Sequence, residues 1–174
     1  YIFEKGFAQS RNKASELIKE GSVFVNGVSE RKTSYAVEQS DRVFVKQISQ
    51  YVSRSGLKLK GFLGEVFSLH VKDKSCLDIG SSTGGFVQVL LEEGAKSVSA
   101  VDVGSEQLHV SLRDNEKIKL FENTDIRAFQ PEQTFDVVTC DVSFIGVLQI
   151  LPDIDRLSHG QIIILFKPQF EVGK

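Results

Sequence analysis

The chain has 174 residues, 41% of them hydrophobic and 25% charged, which is typical of a globular protein with enough apolar surface for a core. Its longest apolar runs, such as IIILF, are far too short to cross a bilayer, and no signal-peptide pattern opens it. We therefore expect a cytoplasmic protein without stable membrane insertion. The net charge is −2, yet the first 60 residues hold 11 Lys and Arg against 6 Asp and Glu, while the remaining 114 hold 10 against 17. This asymmetry predicts an anion-binding part joined to an acidic part.

The cysteines, the histidines and the lack of methionine indicate what kind of protein this is. Cys76 and Cys140 fall in apolar strand-like runs without framework spacing, which predicts reduced cysteines in a core. Three scattered histidines form no ligand pattern, so we expect no metal. Because the chain lacks methionine and ends abruptly after KPQFEVGK, we expect a fragment of a longer protein.

Residues 10–27, SRNKASELIKEGSVFVNG, predict a helix followed by a hairpin. Ser10 is a good N-cap, Gly21 is a stop signal, and apolar residues recur between them at i, i+3, i+4 spacing. SVFVNG alternates as a short strand that ends in an Asn-Gly turn, and DRVFVK predicts another strand. Basic residues at the start of such a helix could hold a phosphate backbone.

The pattern S-R-x-x-A-x-x-L-I-x-x-G-x-V-x-V-N-G resembles the S-four type of RNA-binding domain. The resemblance implies a small α+β RNA-binding domain at residues 1–46, and the alternative is a helical cap that only packs on its neighbour. Residues 47–57 are predicted as a linker and the start of an entry helix, with a short ordered hinge near VKQISQYVS. The candidate RNA-binding residues are Arg11, Lys13, Lys19 and Arg54.

Residues 74–104 predict a strand, a glycine-rich turn, a helix and a second strand. A dinucleotide-binding G-x-G-x-x-G would have Gly80 and Gly85 in register, but Ser82 stands at its middle position, which weighs against NAD or FAD. A P-loop pattern is also missing. S-adenosylmethionine, a cofactor with ribose and adenine but no pyrophosphate, fits this turn better.

Three acids at predicted strand ends are candidates for holding this cofactor. Asp102 could accept hydrogen bonds from ribose hydroxyls, and Asp78 could order the glycine loop or meet the charged amino acid end. Asp125 stands where such enzymes often contact the adenine, although simple turn-capping is an equal alternative. The full set of predicted cofactor-binding residues is Asp78, Gly80, Ser81, Ser82, Thr83, Gly84, Gly85, Phe86, Asp102, Val103 and Asp125.

Two later apolar runs also end in a charged residue. FDVVTCDVSF predicts a fourth strand that delivers Asp141, and GQIIILFKPQF predicts a fifth that delivers Lys167. Ligands of open α/β sheets bind at the carboxyl edge, where both charges would lie. A second lysine, Lys58, lies in YVSRSGLKLKGFL, which predicts a helix leading into the first strand.

The residues after the fourth strand bear on the methyl acceptor. Methylases of base amino groups carry an acid or Asn, two prolines and an aromatic residue at this place. This chain has Asp141, Val, Ser and Phe144, without the prolines. Phe144 could still stack on a base. Cys140 could be the nucleophile of an enzyme that methylates carbon 5 of a base, but it lacks the Pro-Cys context of such enzymes. Packing in the core is therefore its favoured role. A ribose 2′-hydroxyl fits the charges better, because a lysine amine can take or share its proton when burial or a neighbouring positive charge lowers the lysine's pKa.

The segments YVSRSGLKL, CLDIGSSTGGF, AVDVGSEQLH, CDVSF and LFKPQFEVGK resemble the TlyA (haemolysin A) family. The resemblance implies a Rossmann-like, doubly wound α/β methyltransferase fold over residues 58–174, lacking its C-terminal strands, behind the small N-terminal domain. It implies S-adenosylmethionine-dependent, FtsJ-like 2′-O-methylation of cytidine riboses in ribosomal RNA, with ribosomal subunits as partners. Lys58, Asp141 and Lys167 match three members of a Lys-Asp-Lys-Glu tetrad, and we do not assign the fourth to Glu171.

Three other functions stay open at this point. The family's second name raises a membrane-lytic protein, although the sequence has neither a spanning segment nor a strongly apolar amphipathic helix. A ribosome-binding factor without catalysis is a further alternative, and a dehydrogenase is the least favoured because of Ser82. The oligomeric state cannot be predicted from these patterns.

Overall fold

A computed structural model describes residues 1–8, 10–46, 51–66 and 68–172 of the chain. The chain divides into two units, residues 1–50 and 51–174. The domain limits expected from the sequence, at 46 and 58, stay predictions, and residues 47–50 of the predicted hinge lie outside the described residues.

The helix of the first unit begins and ends where its sequence signals stand. Helix α1 spans Arg11–Lys19, and Ser10 Oγ accepts a hydrogen bond from the Lys13 amide at 3.1 Å. The chain leaves the helix through Gly21, whose φ of +78° lies in the left-handed region that glycine enters without steric cost. The predicted N-cap and stop are confirmed.

Three short antiparallel strands complete the first unit: β1 (Val23–Val25), β2 (Val28–Ser29) and β3 (Val43–Val45). Their order in the sheet is β2-β1-β3. The turn between β1 and β2 is Asn26-Gly27, with φ of +52° and +85°, as a tight type I′ hairpin requires. The hairpin predicted from the Asn-Gly pair is therefore confirmed.

The second unit alternates helices and strands. Its strands are β4 (Ser75–Ile79), β5 (Ser97–Val101), β6 (Ile118–Phe121), β7 (Phe135–Cys140) and β8 (Ser158–Ile164). Its helices are α2 (Arg54–Glu65), α3 (Gly85–Glu92), α4 (Val110–Arg113), α5 (Leu151–Leu157) and α6 (Pro168–Glu171).

All five strands are parallel, in the order β6-β5-β4-β7-β8. Strand order therefore reverses between β4 and β7, and open sheets of this kind bind their ligands at the carboxyl ends of the strands beside such a reversal. The predicted Rossmann-like architecture, with a small antiparallel domain before it, is confirmed.

Two apolar clusters pack around the parallel sheet. One includes Leu59 of α2 and Phe86 of α3, and the other includes Ile154 of α5. Cys76 belongs to the first and Cys140 to the second, and burial raises the pKa of each thiol to about 12. Both cysteines are thus core residues, which is the role that their apolar context predicted.

Candidate functional site

Three residues of the glycine-rich loop between β4 and α3 have a left-handed backbone conformation. Gly80, Ser82 and Gly84 have φ of +78°, +46° and +91°. A Cβ at Gly80 would lie 3.0 Å from the carbonyl oxygen of Asp141, so the loop and the end of β7 approach closely. Ser82 takes a conformation that favours glycine, and its hydroxyl donates to Gln107 Oε1 at 3.0 Å.

Asp102 lies just after β5 and holds the loop in place. Its two carboxylate oxygens accept hydrogen bonds from the Ser82 amide at 2.8 Å and the Gly104 amide at 2.7 Å. Asp102 therefore orders the loop, which was one of two roles considered for Asp78; the other, contact of Asp78 with the charged amino acid end of the cofactor, stays a prediction. Lone pairs remain on both oxygens, so the predicted contact with a ribose is compatible with this geometry.

Asp78 does not stand at the mouth of its strand, as we had expected, but inside β4, where it is 1% exposed. Its Oδ1 lies 2.7 Å from the hydroxyl of Thr139 on the neighbouring strand β7, and its Oδ2 has no hydrogen-bond partner among the described residues. Burial, together with the charges of Asp141 and Asp102, raises the pKa of this carboxyl to about 7. Both faces of a parallel sheet are covered by other elements, which is why a side chain inside its central strand is enclosed.

A cavity of about 490 Å³ opens at the carboxyl ends of β4, β5 and β7. Six predicted site residues line it: Gly80, Ser82, Asp102, Val103, Asp125 and Asp141. Five other predicted residues of the loop and α3 do not line it: Ser81, Thr83, Gly84, Gly85 and Phe86. Gly85 instead packs against the start of α2, since a Cβ there would lie 2.9 Å from the Gly56 amide nitrogen.

Asp125 lines the cavity in a tight ion pair. Arg127 Nε lies 2.9 and 3.1 Å from its two carboxylate oxygens, and the Arg127 amide donates to the same group. These hydrogen bonds lower the pKa of Asp125 to about 2. The turn-capping alternative is therefore visible in the structure, and the contact with adenine stays a prediction.

The structure brings Asp141 and Lys167 together. Lys167 Nζ lies 2.6 Å from Asp141 Oδ1, and both side chains are less than one-fifth exposed. The amine also donates to Ser143 Oγ at 2.8 Å, so two neighbours hold it at the edge of the cavity.

Lys58 lies on α2, as predicted, with an exposed side chain. Across the described residues, no hydrogen bond or ion pair joins Lys58 to Asp141 or Lys167. The structure thus brings together two of the three candidate catalytic residues, and the role of the third stays a prediction.

Phe144 projects from the rim of the cavity. Its side chain is 94% exposed, and its φ of +68° is unusual for a bulky residue. The ring centroid of Phe170 lies 5.5 Å away. An exposed aromatic ring held in a costly backbone conformation is a feature of binding sites.

The predicted RNA-binding residues are on the surface of their helices. Arg11 and Lys19 are exposed on α1, and Arg54 is exposed at the first turn of α2. Lys13 is half-buried and forms an ion pair of 3.0 Å with Glu16, so part of its charge is already compensated.

Sequence reasoning missed the groups that support the site. Ser143, Gln107 and Arg127 contact Lys167, Ser82 and Asp125 respectively. Ser143 and Gln107 stand in the quoted segments CDVSF and AVDVGSEQLH, and Arg127 stands two residues after Asp125. Their contacts depend on how turns and loops fold, which periodicity does not predict.

The described residues contain neither a cluster of metal ligands nor a membrane-spanning helix. No group of three or more His, Cys, Asp or Glu side chains is placed to hold a metal ion in this part of the chain. None of its helices has both the length and the apolar character needed to cross a membrane.

A parallel sheet of this order, a glycine loop after its central strand and an acid after the next strand define a Rossmann-like cofactor-binding fold. The family model of the FtsJ-like methyltransferases matches residues 51–174, and that of the S4 domain matches residues 1–43. The chain belongs to the TlyA family of FtsJ-like methyltransferases.

Named relatives match over nearly the whole chain. It is 50% identical to the 23S rRNA (cytidine-2′-O)-methyltransferase TlyA of Campylobacter jejuni, and the alignment covers 100% of this chain and 76% of that protein. The chain is 40% identical to Hemolysin A of Brachyspira hyodysenteriae, and that alignment covers 100% of this chain and 75% of the relative. A solved structure of a protein from Streptococcus thermophilus, named as a hemolysin, is 36% identical with a TM-score of 0.73, and this chain spans 66% of its length.

Proposed function

We propose that this chain methylates the 2′-hydroxyl of a ribose in ribosomal RNA, a cytidine ribose in particular, with S-adenosylmethionine as the methyl donor. The observation that carries the proposal is the Asp141–Lys167 pair, 2.6 Å apart at the edge of a cavity beneath a glycine loop. The name of the Campylobacter jejuni relative, which states this reaction, supports the assignment at 50% identity.

The cavity fits the proposed cofactor in size and in polarity. Its volume of about 490 Å³ is in the range of small-molecule sites. Asp102 offers carboxylate lone pairs on one side, and unpartnered buried oxygens of Asp78 and Ser81 lie around the loop. When bound, the cofactor supplies a sulfonium methyl group that a nucleophilic oxygen can accept.

The pair at the edge can prepare the ribose oxygen for that transfer. As the new carbon–oxygen bond forms and the carbon–sulfur bond breaks, the hydroxyl must lose its proton. Lys167, held by Asp141 and Ser143, donates a hydrogen bond that orients the ribose oxygen, and the hydroxyl releases its proton to solvent. Holding the oxygen in line with the methyl group provides most of the remaining acceleration.

Lys58 is the third member of the proposed catalytic set. It adds a positive charge from α2, whose first turn contacts the first turn of α3 through Gly56 and Gly85. We expect Lys58 to act on the bound RNA, since its side chain is exposed.

The RNA would be held at two places. Phe144, 94% exposed at the cavity rim, is suited to stack on the base of the target nucleotide. The S-four domain, with Arg11 and Lys19 exposed on α1, is suited to bind phosphates of the surrounding RNA. Ribosomal subunits are then the partners, and the cytoplasm is the expected location.

The test is transfer of labelled methyl groups to ribosomal subunits, followed by alkaline hydrolysis. A 2′-O-methyl group blocks cleavage of its own phosphodiester, so we expect the label in an alkali-resistant dinucleotide that contains cytidine. A Lys96→Ala variant, altered at an exposed lysine of the same unit, should transfer as well as the wild type. Label in ordinary mononucleotides would mean base methylation, and would contradict the proposal.

A further inference from the structure

The sheet of the first unit has one covered face. Val23 and Val25 of β1 are buried, and Val23 packs with Ala14 of α1. Leu17 and Ile18 of the same helix pack against this cluster, as do Val43 and Val45 of β3. Helix α1, with its basic residues, therefore lies on this side of the sheet.

The alternate side chains form the opposite face, which carries two aromatic rings. Phe24 of β1 and Phe44 of β3 are directly opposite in register, and their ring centroids are 6.3 Å apart. Phe44 is 63% exposed. Exposed aromatic surface of this kind, rimmed by polar residues, is a feature of interaction sites.

Two positive charges flank the exposed ring. Arg42 and Lys46 stand two residues before and after Phe44, so they share its face of the strand, and both are exposed. Among the described residues, neither forms an ion pair. The adjacent acid, Asp41, has its carboxylate engaged by the Asn26 side chain and the Glu38 amide.

Alternating cations and aromatic rings on a sheet are complementary to single-stranded nucleic acid. An unpaired base can stack on the ring while the cations hold the phosphates on either side, and the stack is tolerant of sequence. A duplex cannot use the ring, because its bases are already stacked on each other.

We infer that this face, defined by Phe24, Arg42, Phe44 and Lys46, binds an unpaired segment of RNA with one base stacked on Phe44. The inference rests on the proposed function for the identity of the polymer. It adds a binding surface on the side of the sheet opposite α1, whose basic residues hold phosphates in the proposed function.

Tryptophan fluorescence provides a direct test, because the chain contains no tryptophan. Phe44→Trp in the full chain places a single reporter in the proposed stack. Titration with an unpaired oligouridine should quench this fluorescence, and titration with an RNA duplex of equal length should quench it much less. Equal quenching by the two, or none by either, would overturn the inference.

Affinity measured by fluorescence anisotropy of labelled oligouridine gives the second test. Phe44→Ala should weaken binding about tenfold. Val28→Ala, which truncates an exposed apolar side chain on β2, on the far side of β1, should leave binding unchanged. If Phe44→Ala binds like the wild type, or changes the oligomeric state instead, the surface serves another purpose.

Methyl transfer by the wild-type chain keeps the two proposals apart. If ribosomal RNA is methylated on ribose while Phe44→Ala binds oligouridine normally, the stacking surface is wrong and the proposed function stands. If oligouridine binding depends on Phe44 but no methyl group is transferred, the surface stands and the proposed function is wrong.

Discussion

At the scale of single residues, the buried carboxyl of Asp78 is the most unusual group in the second unit. It combines 1% exposure, one oxygen without a partner among the described residues and a pKa of about 7. Buried ionisable groups of this kind are costly to keep charged, and they cluster at functional sites. Asp78 lies in β4 just before the glycine loop, so its protonation affects both the stability of the fold and the charge next to the candidate site.

The raised pKa of Asp78 predicts how stability depends on pH. Between about pH 4 and pH 7 the folded chain retains a proton that the unfolded chain has released, so the free energy of unfolding should fall as pH rises across this window. Asp78→Asn keeps the acceptor for Thr139 and cannot ionise. It should remove this contribution and stabilise the fold at pH 8 by roughly 2–4 kcal/mol, measured by urea unfolding. An unchanged pH profile in the variant would contradict the assignment.

The strained backbone of Phe144 predicts that a substitution there can keep or raise the stability of the fold while it weakens RNA recognition. Phe144→Gly removes the cost of φ +68° for a side chain and should leave the free energy of unfolding unchanged or raise it by up to about 1 kcal/mol. It also removes the proposed stacking ring, so the KM for ribosomal RNA should rise about tenfold. Phe166→Ala, at another exposed phenylalanine, should change neither quantity. A Phe144→Gly variant with a normal KM would show that the ring does not contact the substrate.

At the scale of elements, the close approach of α2 and α3 positions the glycine loop. Each helix contributes a glycine, Gly56 and Gly85, to this contact in their first turns. A bulkier residue would push the two helices apart, and the loop that precedes α3 would move with them. The contact therefore connects packing in the core to the geometry of the site.

Two substitutions in α2 should have opposite effects on stability. A Cβ at Gly56 would lie 2.9 Å from the Gly85 carbonyl oxygen, whereas a Cβ at Gly61 would meet nothing within 4 Å. We expect Gly56→Ala to lower the free energy of unfolding by about 1–3 kcal/mol and Gly61→Ala to raise it by about 0.5–1 kcal/mol. Denaturant titration of both variants measures the difference, and equal effects would contradict the packing account.

The sequence predicted the elements well where their physical signals are local. The cap at Ser10, the Asn-Gly turn and the apolar strands β4, β5, β7 and β8 each follow from a few neighbouring residues. The environment of Asp78 could not be predicted, because it depends on Thr139, 61 residues away on another strand. Asp141 and Lys167 were predicted at the same edge of the sheet, and their contact follows from the parallel register of β7 and β8.

At the scale of the whole molecule, the charge asymmetry of the sequence corresponds to the two units. The excess of Lys and Arg lies in the first 60 residues, which include the S-four domain, and the excess of acids lies in the methyltransferase domain. Phosphate binding and cofactor binding are thus expected to be separable functions. Salt should weaken the first much more than the second.

The double substitution Arg11→Ala, Lys19→Ala tests this separation. It should weaken binding of ribosomal RNA and lower the slope of log affinity against log salt by about 1 for each lost phosphate contact. The affinity for S-adenosylmethionine, measured by calorimetry, should not change. An unaltered salt slope would indicate that α1 does not contact the RNA backbone.

The measurement that tests the central claim most directly is single-turnover methyl transfer by Lys167→Ala and Asp141→Asn, alongside their affinity for S-adenosylmethionine. If the pair prepares the ribose hydroxyl, each variant should bind the cofactor like the wild type and transfer the methyl group about 100-fold more slowly or worse. Transfer at the wild-type rate by either variant with the cofactor bound would show that the pair only stabilises the edge of the sheet.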